Sequence, residues 1–214
     1  MIKIKQFVFN PFSVNTYVVF DSDTRDAIVV DPGMTSNAEK RKFDTFISEN
    51  KLNVTQIINT HLHLDHCFGD NYVRNRYGVK VYANADDAFL GESLSSQARQ
   101  FGLSLDEDDP VKIDVTLKEG DTIKLGKYNI EVLAVPGHSP GSLVLYSPDG
   151  HFAIVGDVIF ERSIGRTDLP GGNHSQLIQG IKQKVLSLPA DTLLLSGHGQ
   201  HTSVENESRY NPYL

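Results

Sequence analysis

The stretch THLHLDH, residues 60–66, carries the densest chemistry in this 214-residue chain. It holds four side chains that can bind a metal, namely His61, His63, Asp65 and His66. The apolar run at 54–58 before it is typical of a short buried strand, and residues 67–77 after it predict a helix that stops at Gly78. His61 and His63, two apart on extended backbone, share a face. Asp65 and His66 fall on the turn into the helix, where the helix dipole favours a carboxylate.

Three further apolar runs also end in a residue that can bind a metal. The runs at 130–135, 152–155 and 193–195 lead to the donors His138, Asp157 and His198. In layered α/β proteins, functional groups gather beyond the strand ends. A glycine directly precedes each of these donors and permits a tight turn that aims the side chain across the sheet edge. Five of the eight histidines belong to this set, so the sequence predicts one shared site rather than separate core histidines.

The number of donors predicts a site for two metal ions. Zinc takes about four ligands, and catalytic zinc leaves one position to water. Seven protein groups are therefore too many for one ion, but they suit two ions about 3.5–4 Å apart that share a carboxylate and a hydroxide. Imidazole and carboxylate donors without thiolate fit zinc, iron or manganese. Two divalent ions are expected, with zinc as the first expectation and iron or manganese as alternatives.

The order of the remaining patterns predicts an α/β protein. A run of strands that is followed by a helix, one strand and another helix occurs twice along the chain. Strands are predicted around 2–9, 17–20, 27–30, 54–58, 79–82, 111–117, 122–125, 130–135, 143–146, 152–155 and 193–195, and helices at 37–50, 67–77, 85–90, 175–186 and 202–210. The polar, acidic stretch 91–110 is predicted to be irregular, as a mobile excursion or lid. Residues 1–214 are predicted to form one domain, with two mixed sheets packed face to face and helices outside both.

Composition narrows the class of partner. The net charge is -7, and no cluster of lysine and arginine makes a basic face, which argues against nucleic acid. One cysteine, Cys67, excludes an internal disulfide and fits a reducing compartment. The amino terminus alternates charged and apolar residues, so we expect a strand there rather than an export signal. No apolar run has the length of a membrane span. The expectation is a cytoplasmic protein without a membrane partner, whose oligomeric state the sequence leaves open.

Four motifs resemble those of the metallo-β-lactamase superfamily: HLHLDH at 61–66, PGHSPGS at 136–142, GD at 156–157 and SGHG at 196–199. Their spacing, from residue 61 to residue 199, covers most of the chain. Asp157 stands where the main zinc group of β-lactamases carries a cysteine, and His66 stands where it carries an arginine. Both differences point away from antibiotic hydrolysis and toward the glyoxalase II branch. The segment SIGRTDLPGG at 163–172 and the ending GHGQHTSVENESRYNP resemble the short, single-domain hydrolases of that branch.

The resemblance implies the fold and a role for each donor. The fold would be a four-layer αββα sandwich. One metal would be held by His61, His63 and His138, the second by Asp65, His66 and His198, and Asp157 would bridge the two. The resemblance gives no ligand role to His151, His174 or His201, which we expect at the surface or behind the ligands.

A metal-dependent thioester hydrolase, similar to hydroxyacylglutathione hydrolases, is the function that follows from this resemblance. A hydroxide between the two ions would attack a small-molecule thioester whose carbonyl one ion polarises. Asp65 is expected to handle the proton of the attacking water besides binding metal. Cys67 is expected to be a small residue in the helix rather than a nucleophile. Full-length glyoxalase II has a carboxyl-terminal helical domain that supplies much of the glutathione contact, and this chain reaches Leu214 soon after its last motif, so the thiol is left open.

Two other functions compete with hydrolysis. A mononuclear iron persulfide dioxygenase also carries a GRTD motif, and it would use His61, His138 and Asp157 as two histidines and one carboxylate. Oxygen uptake with glutathione persulfide and one iron per chain would favour it. A metal-binding module without catalysis ranks last, because no donor is missing. Arg166 and Asp168 suit substrate binding and a structural ion pair equally. Three hydroxyl residues are expected to orient ligands, namely Thr60, Ser139 and Ser142.

Overall fold

The computed structural model describes residues 1–103 and 110–214. Two six-stranded sheets form the body of the protein. Helices cover the outer faces of both sheets, and side chains of the two inner faces pack against each other. The α/β sandwich with two mixed sheets that the sequence predicts is therefore confirmed.

The first sheet has the strand order β1-β2-β3-β4-β5-β6. Its strands are β1 (Ile2–Phe9), β2 (Val14–Asp21), β3 (Asp26–Val30), β4 (Asn53–Ile58), β5 (Lys80–Ala83) and β6 (Val115–Thr116). β2 runs antiparallel to both β1 and β3, whereas β3, β4, β5 and β6 run parallel to one another. The carboxyl ends of β3 and β4 therefore meet at one edge, which places Asp31 beside the THLHLDH turn.

The second sheet has the order β14-β13-β10-β9-β8-β7. Its strands are β7 (Thr122–Leu125), β8 (Tyr128–Ala134), β9 (Leu143–Ser147), β10 (Phe152–Gly156), β13 (Leu193–Ser196) and β14 (Thr202–Ser203). β9 runs antiparallel to both β8 and β10, and β10 runs parallel to β13. The strands β8, β10 and β13 thus point the same way, so the donors that follow them emerge at one edge. A small hairpin of β11 (Ile159–Phe160) and β12 (Ser163–Ile164), which the sequence did not predict, stands apart.

Three apolar layers separate the sheets and helices. Val18 packs with the cluster under the first helix, whereas its neighbour Val19 packs between the sheets. In the second sheet Leu143 faces the first sheet, whereas Val144 faces the outer helix. Successive strand side chains point to opposite faces, so a strand that is apolar at every position must be covered on both sides. This is the physical basis of the four layers.

The helices are α1 (Asn37–Glu49), α2 (Leu64–Cys67), α3 (Asp70–Tyr77), α4 (Ala88–Glu92), α5 (Leu94–Gln100), α6 (His174–Gly180) and α7 (Val204–Tyr210). A short 3-10 turn at Ala85–Asp87 precedes α4, and a π-helical turn at Ile181–Val185 extends α6. Ser36 and Glu39 form a capping box that starts α1. None of the helices in the described ranges is long and apolar enough to cross a membrane.

The single helix predicted at 67–77 is wrong. The structure has α2 from Leu64 and a separate α3 from Asp70, with a break at Gly69. The Gly69 amide donates to the carbonyl of Pro32 at 2.6 Å, and a side chain at this position would collide with Met34. This packing against another loop ends the first helix early. The predicted stop at Gly78 is confirmed, since Gly78 caps α3 in the left-handed conformation.

The irregular segment predicted at 91–110 is wrong over its first half. The helices α4 and α5 occupy most of residues 88–100, and Leu90, Leu94 and Ala98 are buried at four-residue spacing. Polar residues between them obscured this helical period. Residues 104–109 of the same segment lie outside the described part of the chain, so the lid predicted for 91–110 stays a prediction. The strand predicted at 111–117 is ordered as a strand only at Val115–Thr116. The single-domain organisation and the cytoplasmic location remain predictions.

Candidate metal centre

The seven predicted donors come together where the strand ends of the two sheets meet. His61 and His63 follow β4 on extended backbone, and Asp65 and His66 lie in α2. The other donors follow β8, β10 and β13. Gly137 and Gly156 have the positive φ angles that the predicted turns require, at 135° and 48°. The third glycine, Gly197, is required for a different reason, because a side chain there would collide with Asp157 and His66.

Three histidines form one group. The Nε2 atom of His138 lies 2.9 Å from Nδ1 of His63 and 3.2 Å from Nε2 of His61. One nitrogen of each ring lies within 4.8 Å of the other two. All three side chains are buried. Three converging imidazoles in this arrangement can hold one ion and leave a further coordination position.

Asp65, His66 and His198 form a second group. The Oδ2 atom of Asp65 lies 3.1 Å from Nε2 of His198 and 3.8 Å from Nε2 of His66. His66 is fully buried, while His198 is partly exposed toward an adjoining cavity. This group can hold a second ion.

Asp157 lies between the two groups. Its Oδ1 atom is 3.4 Å from Nε2 of His66, and its Oδ2 atom is 3.6 Å from Nε2 of His198 and 3.7 Å from Nε2 of His138. The carboxylate thus contacts donors of both groups. This position is the one that a bridging ligand would need.

A hydrogen-bond chain orients His61 and His66. The Thr60 hydroxyl donates to Oδ2 of Asp31 at 2.7 Å, so its oxygen is free to accept from Nδ1 of His61 at 3.1 Å. Nδ1 of His66 donates to the same carboxylate at 2.9 Å. In a neutral ring with the proton on Nδ1, the Nε2 atom of each histidine presents a lone pair to the centre. Thr60 therefore orients a donor, as the sequence predicted.

Backbone carbonyls orient two further donors. Nδ1 of His138 donates to the carbonyl of Arg166 at 2.8 Å, and Nδ1 of His198 donates to that of Phe12 at 3.0 Å. Their Nε2 atoms are directed inward, and in a neutral ring with the proton on Nδ1 these atoms carry the lone pair. The side chain of Arg166 instead forms a two-bond pair with Asp168, at 2.7 Å for each bond. The GRTD segment thus contributes an ion pair and a carbonyl that holds a donor.

The residues present fit a pair of cations. Lone pairs of His61 and His138 face each other at 3.2 Å, a repulsive arrangement that a cation between them relieves. Nε2 of His66 and Oδ1 of Asp157 are buried without a hydrogen-bond partner. Unsatisfied buried polar atoms are rare and call for a ligand. Nitrogen and oxygen donors are those of zinc, iron and manganese.

The titration behaviour of the donors agrees with this. Burial, followed by the imidazoles nearby, lowers the pKa of His61 well below its usual range, and burial and His138 lower that of His63 to about 3. Both rings are neutral donors. Burial disfavours the charge of Asp157, but His66 and His138 outweigh burial and hold its pKa well below the usual range. Burial would lower the pKa of His66, yet Asp157 and Asp65 raise it, so the second group favours a positive charge.

Two aspartates that the sequence analysis missed hold the centre in place. Asp31 is buried, and besides His66 it accepts from the Thr60 amide at 2.7 Å. Asp31 lies close to His61 and His66, but its oxygens are occupied by these bonds, so it serves as an orienting group rather than a ligand. Asp87 joins two loops that carry donors, since its carboxylate accepts from the Leu62 amide at 3.2 Å and the Gly141 amide at 2.6 Å.

Ser139 and Ser142 belong to the same network. The Ser139 hydroxyl donates to Asp87 at 2.7 Å, and the two serine oxygens lie 2.8 Å apart. They fix the turn that carries His138. The signal that could have revealed Asp31 is its place directly after a buried strand, as with the donors themselves. No local signal marks Asp87.

Cys67 and three histidines take no part in the centre. Cys67 is buried, its thiol donates to the carbonyl of His63, and burial raises its pKa well above the usual value. A neutral, inaccessible thiol is not a nucleophile. His151, His174 and His201 are exposed, and none of the donor groups found in the described part of the chain includes them.

Two curated proteins illustrate what the chain is similar to. It is 36% identical over 210 residues to "Hydroxyacylglutathione hydrolase GloC" of Haemophilus influenzae, covering 95% of this chain and 93% of that protein. It is 29% identical over 212 residues to "Persulfide dioxygenase ETHE1, mitochondrial" of Homo sapiens, covering 97% of this chain and 74% of that protein.

Two solved structures share the whole fold. "BLEG-1 B3 metallo-beta-lactamase" superposes with a TM-score of 0.88 at 33% identity, covering 99% of each chain. "TTHA1623 in a di-iron-bound form" superposes with a TM-score of 0.86 at 31% identity, covering 98% of this chain and all of that one. A protein of this fold thus holds two metal ions.

The sequence-family model of the metallo-beta-lactamase superfamily matches residues 9–198 of this chain. This range begins at the end of β1 and ends at the last donor, His198. This match includes most strands of both sheets and all seven donors. The chain belongs to the metallo-beta-lactamase superfamily.

Proposed function

We propose that this protein is a metal-dependent hydrolase of small-molecule thioesters with a two-metal centre. The observation that carries the proposal is the position of Asp157, whose carboxylate oxygens lie within 3.4–3.7 Å of nitrogens from both donor groups. A single shared carboxylate between two sets of donors is the arrangement of two-metal hydrolases. The similarity to a hydroxyacylglutathione hydrolase supports the thioester as the substrate class.

Each group of donors has an ion to hold in this proposal. His61, His63 and His138 would hold the first and Asp65, His66 and His198 the second, with Asp157 shared. His63 would bind through Nδ1, the atom that faces His138, and the other histidines through Nε2. Zinc is the first expectation, and the di-iron neighbour makes iron the principal alternative.

The ions, when bound, would supply a water of lowered pKa and a positive charge against which a carbonyl oxygen is polarised. The chain's own part is to position and to transfer protons. Asp65 is ionised, because His66 and His198 outweigh the burial that would raise its pKa. It can therefore accept the proton of an attacking water and return it to the leaving sulfur. The lone pairs of the four Nε2 donors are fixed in advance, so little reorganisation accompanies the reaction.

One experiment tests the proposal directly. Purified protein would be assayed with acetyl and lactoyl thioesters, with and without a strong chelator, and its metal content measured. We expect two ions per chain and turnover that chelation abolishes and added metal restores. Full turnover in metal-free protein would refute it. A β-lactam would be assayed in parallel, because the BLEG-1 neighbour is named as a metallo-beta-lactamase. We expect its turnover to be much slower than that of the thioesters.

The persulfide dioxygenase relative favours one alternative. The donors of a mononuclear iron site, two histidines and a carboxylate, are available as His61, His138 and Asp157, and His138 contacts both others at 3.2 and 3.7 Å. Oxygen consumption with glutathione persulfide by protein holding one iron per chain, combined with no thioester turnover, would establish this function in place of hydrolysis.

A further inference from the structure

The donor groups open onto a cavity of about 350 Å³, a size at the lower end of small-molecule sites. Its wall nearest the centre is formed by five of the donors, namely His63, Asp65, His138, Asp157 and His198. The facing wall is mostly apolar and includes Phe12, Phe89, Leu90, Phe101, Leu169 and Pro170. A substrate whose reacting bond lies at the donors must therefore place an attached group against this apolar wall.

The apolar wall is a built feature of the fold. Phe12 and Phe101 contact each other edge to face, with ring centroids 5.4 Å apart. Gln97 fastens α5 to the centre, because its side chain accepts from the Leu64 amide at 3.1 Å and donates to the Leu90 carbonyl at 2.8 Å. Phe89 and Phe101 are nevertheless 43% and 45% exposed. Large exposed aromatic rings beside a cavity mark a binding surface.

The charges of the described lining do not favour strong recognition of an anionic thiol. Glutathione carries carboxylates, which proteins hold with arginine or lysine. Histidines aside, the described lining has one cation, Arg166, and Asp168 occupies it through two bonds of 2.7 Å. The remaining polar lining, such as Ser93 and Gln100, is uncharged. Among the described lining residues, apolar contacts predominate, and Arg166, the one cation apart from the histidines, is already paired with Asp168.

We propose that the substrate is a thioester with an apolar arm of several carbons or an aromatic ring, which packs against Phe12, Phe89 and Phe101. This rests on the proposed function and narrows it to a substrate class. The arm can be attached at the carbonyl or at the sulfur, because both lie next to the reacting bond. Each methylene that enters the cavity adds about 0.8 kcal/mol of transfer free energy, which is a three- to fourfold gain in kcat/KM.

The test uses metal-loaded protein and matched thioesters. Acetyl, butyryl and hexanoyl thioesters of neutral N-acetylcysteamine would be compared with the same acyl groups on glutathione, and with acetyl thioesters of methanethiol and hexanethiol. We expect kcat/KM to rise at least tenfold from the shortest to the longest arm in one of the two attachment series. For a given acyl group, replacing N-acetylcysteamine with glutathione should change kcat/KM less than threefold. Equal values along both series, or a tenfold advantage of glutathione, would overturn the inference.

Variants connect this preference to the wall. Phe101→Ala and Phe89→Ala should each lower the long-to-short ratio at least threefold, whereas Tyr213→Ala, an equally exposed aromatic site outside the lining, should keep the wild-type ratio. Calorimetry with S-methyl and S-hexyl N-acetylcysteamine, which cannot be hydrolysed, separates the two proposals. Tighter binding of the hexyl compound that Phe101→Ala weakens, without turnover of any thioester, would support the apolar site and refute hydrolysis. Equal binding of both compounds would refute the site.

Discussion

The imidazole of His66 and the carboxylate of Asp31 lie 2.9 Å apart in the interior, Nδ1 to Oδ2. The contact joins the residue directly after β3 to helix α2, and both partners are almost fully buried. It fixes the proton of His66 on Nδ1 and leaves Nε2 to the second donor group. Asp31 also binds the amide and hydroxyl of Thr60, so one carboxylate orients two neighbouring donors.

Asp31→Asn should weaken metal binding at the second group. The amide introduced would present N–H groups to Nδ1 of His66 and to the Thr60 hydroxyl, so His66 would have to move its proton to Nε2, the atom required for the metal. Loss of such a partner lowers metal affinity about 10- to 100-fold. Competition with a chromophoric chelator measures this. Asp21→Asn, at another buried aspartate far from the centre, is the control and should bind as wild type does; equal affinities for both variants would contradict the assigned role.

Asp87→Ala should destabilise the protein and loosen the first donor group. The substitution leaves the buried Gly141 and Leu62 amides without an acceptor. Each unsatisfied buried donor costs about 1–3 kcal/mol, so we expect the free energy of unfolding in urea to fall by about 3 kcal/mol. Asp87→Asn keeps one acceptor oxygen and should lose about half as much. An unchanged urea midpoint for Asp87→Ala would show that the carboxylate does not join these loops.

Asp70 gives a pH-dependent prediction. Burial raises the pKa of this carboxyl well above its usual value, and its Oδ2 atom has no partner. The unfolded chain has a carboxyl pKa near 4, so below that pH the raised pKa of Asp70 in the folded protein contributes to stability. This contribution to the free energy of unfolding is lost as pH rises from the unfolded pKa toward the folded pKa. The side chain in Asp70→Asn cannot ionise. The free energy of unfolding of the variant should therefore rise relative to that of wild type, by up to about 1.4 kcal/mol for each pH unit in that window. Thermal unfolding at pH 5.5 and 8 tests this, and a larger advantage at pH 5.5 would refute it.

His61→Ala should lose metal and nearly all activity while the protein stays folded. The side chain contributes one of three nitrogens to the first group and contacts His138 at 3.2 Å. His174→Ala is the matched control, because His174 is exposed at the start of α6 and outside the donor groups. Metal analysis and thioester assay of both variants give the answer. A loss for His174→Ala as large as that for His61→Ala would show that the donors are assigned wrongly.

The sequence could indicate that these side chains meet because each lies shortly after the end of a strand, four of them after β4 and one each after β8, β10 and β13. A buried apolar run and an adjacent histidine or aspartate form one local signal, as at 152–155 and Asp157. The contacts of Asp87 span 25 to 54 residues of chain, and nothing beside it in the sequence marks its role. The break at Gly69 was missed for the same reason, since it depends on packing against Pro32 and Met34. Helix α5 was missed because its buried residues are few and its surface is polar.

Anomalous X-ray diffraction from crystals of the metal-loaded protein tests the two-metal centre most directly. We expect two peaks about 3.5–4 Å apart, one among His61, His63 and His138 and one among Asp65, His66 and His198, with the carboxylate of Asp157 in contact with both. A single peak held by His61, His138 and Asp157, with the second donor group empty, would contradict this expectation.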